Sequence, residues 1–173
     1  MQKVKLPLTI DPVRCAQRRD EYDGLVPLAE LTRLLELTES RQGNVDVRLS
    51  CGIDLQGVVY TKGEARVELE LECQRCNQIM RQPFEATFAC TPVFENSEVE
   101  ELPEAYEPVE LDENGEINLR QLIEDELILA LPLVAMHAED QCPVSGSEMS
   151  WGEIEPADER PNPFAVLEQL RKK

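Results

Sequence analysis

The sequence predicts an α+β fold: an antiparallel β-meander packed against a few helices, with a long acidic loop. Three observations carry that reading. Apolar and polar residues alternate in three successive runs between residues 45 and 92. Two flanking stretches, near 28–38 and 118–131, repeat apolar residues at helical spacing. The charge is also segregated. Residues 95–159 hold twenty Asp and Glu and one base, Arg120, while the rest of the chain holds sixteen bases and fifteen acids.

A length of 173 residues suggests one domain with a tail. We expect a single domain over 1–137 that includes an acidic docking loop at 95–117. Residues 138–173 then read as a loosely ordered acidic tail ending in a short helix. Hydrophobic residues make up 42% of the chain and aromatics only 5%, so aliphatic side chains must fill the core.

Residues 1–24 mix bases and apolar residues around Pro7 and Pro12. Pro27 then opens a helical pattern with Leu28, Leu31, Leu34 and Leu35. Val45, Val47, Leu49, Cys51, Ile53 and Leu55 alternate with mostly polar neighbours, as a half-buried strand does. Gln56-Gly57 supplies a tight turn. The alternation resumes from Val59 to Cys73, with Glu64, Arg66, Glu68, Glu70 and Glu72 on the other face. Gly63 marks a bulge or bend in this long strand. Phe84, Ala86, Phe88 and Cys90 form the third run, and short turns between the three imply a meander with one wet face.

Residues 95–117 lack periodicity, and Pro103, Pro108 and Asn114-Gly115 fit an extended loop. Leu102, Ala105, Tyr106, Val109 and Leu111 interrupt the acids, which suits a segment that docks on something. Asn118 caps the next helix, whose stripe is Leu119, Leu122, Ile123, Leu127 and Ala130. Ile128, Leu129 and Leu131 widen the stripe until it is apolar all round, implying deep burial, and Pro132 stops it. Asn162 and Pro163 open a last short helix with Phe164, Leu167 and Leu170 on one side.

Several function classes find no support. The first residues carry no apolar signal-peptide core, and the longest apolar run, 127–136, is too short to span a ~30 Å hydrocarbon layer. The chain reads as soluble and cytoplasmic, without a membrane partner. There is no Walker A loop, G-x-G-x-x-G or G-x-S-x-G, and one His makes a hydrolase triad improbable. Glu124, Asp125 and Glu126 read as a solvated helix face.

The sharpest local motif is Cys73-Gln74-Arg75-Cys76, at a turn between strands. Such a pair supplies half of a tetrahedral zinc site, and His137 and Cys142 are the candidates for the other half. Two alternatives stay open. Cys73 can simply continue the apolar strand face, or the pair can act as a redox dithiol, although redox pairs usually open a helix. Cys51 and Cys90 read as small core residues, and Cys15 has no assigned role. The net charge of -18 argues for a basic partner rather than for phosphate.

The blocks MQKVKLPLTIDPVR, LECQRC, LPEAYEPVE, GEINL with EDELILALPLV, and PNPFAVLEQLRKK resemble, in order along the chain, the YceD-type large ribosomal RNA subunit accumulation proteins of bacteria. The resemblance implies a non-enzymatic role in synthesis, processing or stability of large-subunit (23S) ribosomal RNA. The partner expected is a basic ribosomal protein or a pre-ribosomal particle, met by Glu98, Glu100, Glu101, Glu104, Tyr106 and Glu107. The alternatives are direct binding of ribosomal RNA through basic termini (Lys3, Lys5, Arg14, Arg18 and Arg19 with Arg171, Lys172 and Lys173), or thiol redox or zinc-dependent regulation through Cys73 and Cys76.

Overall fold

The structure, a computed structural model, describes residues 4–93, 102–144 and 152. The expected helix at 162–170, most of the expected tail, the acids Glu98, Glu100 and Glu101, Lys3 and the cationic end at 171–173 lie outside the described residues. In chain order the elements are β1 (Val4–Lys5), β2 (Thr9–Ile10), α1 (Pro12–Arg18), β3 (Glu21–Pro27), a 3-10 turn (Leu28–Glu30), α2 (Thr32–Glu36), β4 (Asn44–Ile53), β5 (Val59–Glu72), β6 (Ile79–Val93), β7 (Glu107–Glu110), β8 (Ile117–Asn118) and α3 (Leu119–Leu129).

The antiparallel meander is present and longer than expected. Strands β3, β4, β5 and β6 pair in sequence order, and short parallel strands β1 and β7 close the two edges. Alternation fixes the faces. Val45, Val47, Leu49, Ala65, Val67, Leu69 and Phe88 point to the dry side, beneath α1, α2 and α3. The wet side carries opposite charges directly across the strands: Arg48 against Glu64, Arg66 against Glu85, and Arg81 against Glu70. Such cross-strand pairs contribute roughly 0.2–1 kcal/mol each.

Gly63 makes no bulge. The register runs unbroken past it, pairing it with Leu49 on one side and Phe88 on the other. A Cβ there would sit 2.5 Å from a Leu49 methyl and 2.5 Å from the Phe88 ring edge, so the glycine makes room for two large core side chains. The following expectations also change. Ile53 and Leu55 leave the dry stripe, which ends at Cys51. Pro27 ends a strand instead of opening a helix, and Leu31 breaks the helical backbone before α2 begins at Thr32. Residues 1–24 hold a helix, α1, with Asp11 capping it and Pro12 in its first turn.

Asn118 caps α3 as its sequence implies, accepting from the Gln121 amide. Glu124 is not solvated. It is buried and its carboxylate accepts from the Arg33 and Leu34 amides and the Arg33 guanidinium, so α3 caps the start of α2. The end of α3 is not deeply buried either: Leu129 is 77% exposed. Among the described residues, no helix is long and apolar enough to cross a membrane.

Candidate functional site

Strand β5 delivers Cys73, fully buried, to the tip of the β5–β6 hairpin. The turn is tight because the Asn77 amide donates to the Cys73 carbonyl and the Cys73 amide donates to the Gln78 carbonyl. Asn77 takes the left-handed backbone conformation, which Asn tolerates better than most residues. Cys76 therefore folds back beside Cys73. From the other direction, Pro132 releases the chain from α3, and the Ala135 carbonyl accepts from the Gln74 amide at 2.8 Å. Ala135 packs with Leu71, Cys73 and Met80 in a small core separate from the main one.

This docking brings in His137 and Cys142. The His137 amide donates to the Cys73 sulfur at 3.4 Å, and His137 Nδ1 lies 3.5 Å from the Cys76 sulfur. The Cys142 amide donates to the Ala138 carbonyl, which turns its thiol inward. The ligand atoms of Cys73, Cys76, His137 and Cys142 all lie within 4.8 Å of one another. A tetrahedral zinc with bonds of ~2.3 Å to sulfur sets its ligand atoms about 3.8 Å apart, so small adjustments complete the site. Three thiols and one imidazole are a donor set that suits zinc.

The electrostatics favour a thiolate. Burial works against an ionised Cys73, but the amides of His137, Arg75 and Cys76, together with the His137 ring, outweigh it and lower the thiol to about 5. Cys76 goes the other way, raised by burial and by the Cys73 and Cys142 sulfurs. The four residues named from the sequence thus converge.

The acidic segment is placed at the opposite end of the same hairpin. Strand β7 pairs with residues 90–93 of β6. Glu104 and Glu107 are exposed, whereas Tyr106 faces inward at 9% exposure. Its ring stacks on Tyr60 at 5.9 Å between centroids, and Lys62 Nζ lies 4.7 Å and 5.3 Å from the two ring centroids. Tyr106 is therefore an anchor for the strand and not an outward contact. Tyr60 and Lys62 were not legible as its partners, since each occupies an ordinary strand position. Beside β7, burial together with Glu107 and Asp125 raises the Glu126 carboxyl, while Asp125 itself pairs with Arg33. Arg120, the one base in the segment, is engaged elsewhere, with Glu30.

Residues 61–171, which contain both the cysteine clasp and the acidic strand, match the family model described as large ribosomal RNA subunit accumulation protein YceD. A Haemophilus influenzae protein of that name is 47% identical over 174 residues, covering 100% of each chain. The chain belongs to the YceD family. No solved structure matches it. The YceD description names an accumulation factor and no chemical reaction.

Proposed function

We propose that this protein is a non-enzymatic cytoplasmic factor that supports accumulation of large-subunit ribosomal RNA, and that it does so by holding a basic ribosomal protein against its acidic face. The observation that carries the role is the full-length relative, named as a large ribosomal RNA subunit accumulation protein. The mode of action is supported by the exposed acids Glu107 and Glu110 on a strand fixed to the sheet, with exposed Glu104 just before it and Glu126 beside it. A basic partner would relieve this crowding, and charge complementarity would speed its capture. Glu98, Glu100 and Glu101 extend the same run in sequence. Direct RNA binding through the amino terminus is less favoured, because Lys5 is paired with Glu30 at 2.6 Å.

The test changes Glu98, Glu100, Glu101, Glu104 and Glu107 to Gln and measures binding of purified basic large-subunit ribosomal proteins at low and high salt. We expect weaker binding and a flatter salt dependence. Undiminished binding at both salts sinks the reading.

In the same reading, Cys73, Cys76, His137 and Cys142 hold a structural zinc ion that fastens residues 135–142 to the hairpin tip. Metal analysis of the reduced protein is expected to give one zinc per chain. Metal-free protein with reversible Cys73–Cys76 oxidation would support thiol redox chemistry instead.

A further inference from the structure

The apolar surface of this fold is unevenly placed. Four of its exposed large hydrophobic side chains, Leu129, Leu133, Val134 and Met136, fall within eight residues. Leu37, 55% exposed, lines a groove of about 450 Å³ that is also lined by Leu131, Pro132 and Ala135, which alternate along the chain with these exposed residues. Glu39 and Glu72 are among its lining residues. Clustered exposed apolar residues usually mark a contact.

We propose that the occupant of this shelf is the chain's own C-terminal segment, residues 162–173. Three observations point to it. The segment repeats Phe164, Leu167 and Leu170 on one helical side, and a helix this short is held only by packing its apolar face. It ends in Arg171, Lys172 and Lys173, while the groove presents Glu39 and Glu72, both exposed, so the charges are complementary. The described chain runs to Val144, two residues past the clasp that fixes Ala135 at the groove wall. The seventeen residues between Val144 and Asn162 extend up to roughly 55–60 Å, enough to reach the groove from any direction. Tethering then raises the segment's effective concentration to the millimolar range and favours it over a foreign apolar helix. A second copy of the chain would bring the same net charge of -18 to an acidic rim.

The test is methyl NMR on the full-length protein with labelled Leu and Val side chains. In a Phe164→Glu/Leu167→Glu chain, the Leu37, Leu133 and Val134 methyl resonances should shift, while those of Val47 and Leu69 should stay in place. The Leu37 shift should be absent when the pair is changed in a chain that already carries Leu133→Ser and Val134→Ser. Adding a synthetic peptide of residues 162–173 in excess to a chain truncated at residue 161 should restore the wild-type positions. Unchanged methyl positions in the Glu variant overturn the proposal. Wild-type shifts that vanish on dilution also overturn it, in favour of a second copy.

Discussion

The β5–β6 hairpin is fastened at both ends by later parts of the chain, and the two ends use different physics. At the Thr61 end, β7 adds main-chain hydrogen bonds to β6, and Tyr106 stacks on Tyr60 beneath Lys62. At the Cys73 end, residues 135–142 are brought in by the Gln74–Ala135 backbone hydrogen bond, by Ala135 packing on Leu71 and Met80, and by a cluster of three thiols and an imidazole. The cysteines at the two ends share the dry face, yet they differ chemically. Burial pushes Cys51 up to about 11 and Cys90 up to about 12. Cys73 is just as hidden but is lowered to about 5, because amide N–H groups point at its sulfur. Burial alone therefore does not set a thiol's character; the orientation of neighbouring amides does. One end is closed by the chain's own side chains, and the other gathers four residues that could hold a metal ion.

The contrast is broken most forcefully at the clasp. Cys73→Ser should abolish zinc binding and lower stability by on the order of 5 kcal/mol, since metal binding at structural sites is coupled to folding. Chelation of the wild type should have a similar effect. Zinc content and thermal melts measure both, and a Cys73→Ser chain that keeps one zinc and its melting temperature removes the distinction. At the other end, Tyr106→Ala should cost about 3 kcal/mol through the lost aromatic burial and stacking. It should speed hydrogen exchange across 102–110 and leave zinc content unchanged. Loss of zinc in that variant would mean the two ends are not independent.

The two ends also differ in how legible they were. The three alternating runs revealed the meander because one face is dry and the other is a ladder of charge. Strand β3 escaped notice because only Gly24 and Val26 are buried within it, too few to mark an alternation. The helix end at Ile128, Leu129 and Leu131 reads as deep core, but hydropathy does not say on which side water lies. Here the structure leaves Leu129 in solvent. Each clasp residue was readable by its chemistry. Their convergence depends on where Pro132 releases the chain and on the pairing of Gln74 with Ala135, and no local pattern encodes either. Glu124 reads as a solvated helix residue for a related reason, since its partners at Arg33 and Leu34 are distant in sequence.

A smaller effect distinguishes the dry thiols. Their folded values are raised above the unfolded value of 9.0. The stability they confer is therefore fully present below that value. It is lost as pH rises through about 11 for Cys51 and about 12 for Cys90. Cys90→Ala should flatten the alkaline fall in stability, measured by denaturant melts at rising pH. An alkaline limb as steep as that of the wild type would show that Cys90 ionises as freely when folded as when unfolded.

The smallest expected change lies at Glu126, beside β7 at the aromatic end. The Glu126 carboxyl is raised by burial first and then by Glu107 and Asp125. A raised carboxyl contributes stability when protonated, and loses that contribution as pH rises through its folded value. Glu126→Gln should therefore melt slightly higher than the wild type at neutral pH, and the gain should shrink in acid, where the wild-type carboxyl is also neutral. If the face exists to receive a basic protein, the same substitution should weaken that binding while it stabilises the free chain. A variant that is more stable and binds less well would tie the crowded acids to the partner. A variant that is less stable at neutral pH would mean that Glu126 makes a favourable contact and that the repulsion is not felt.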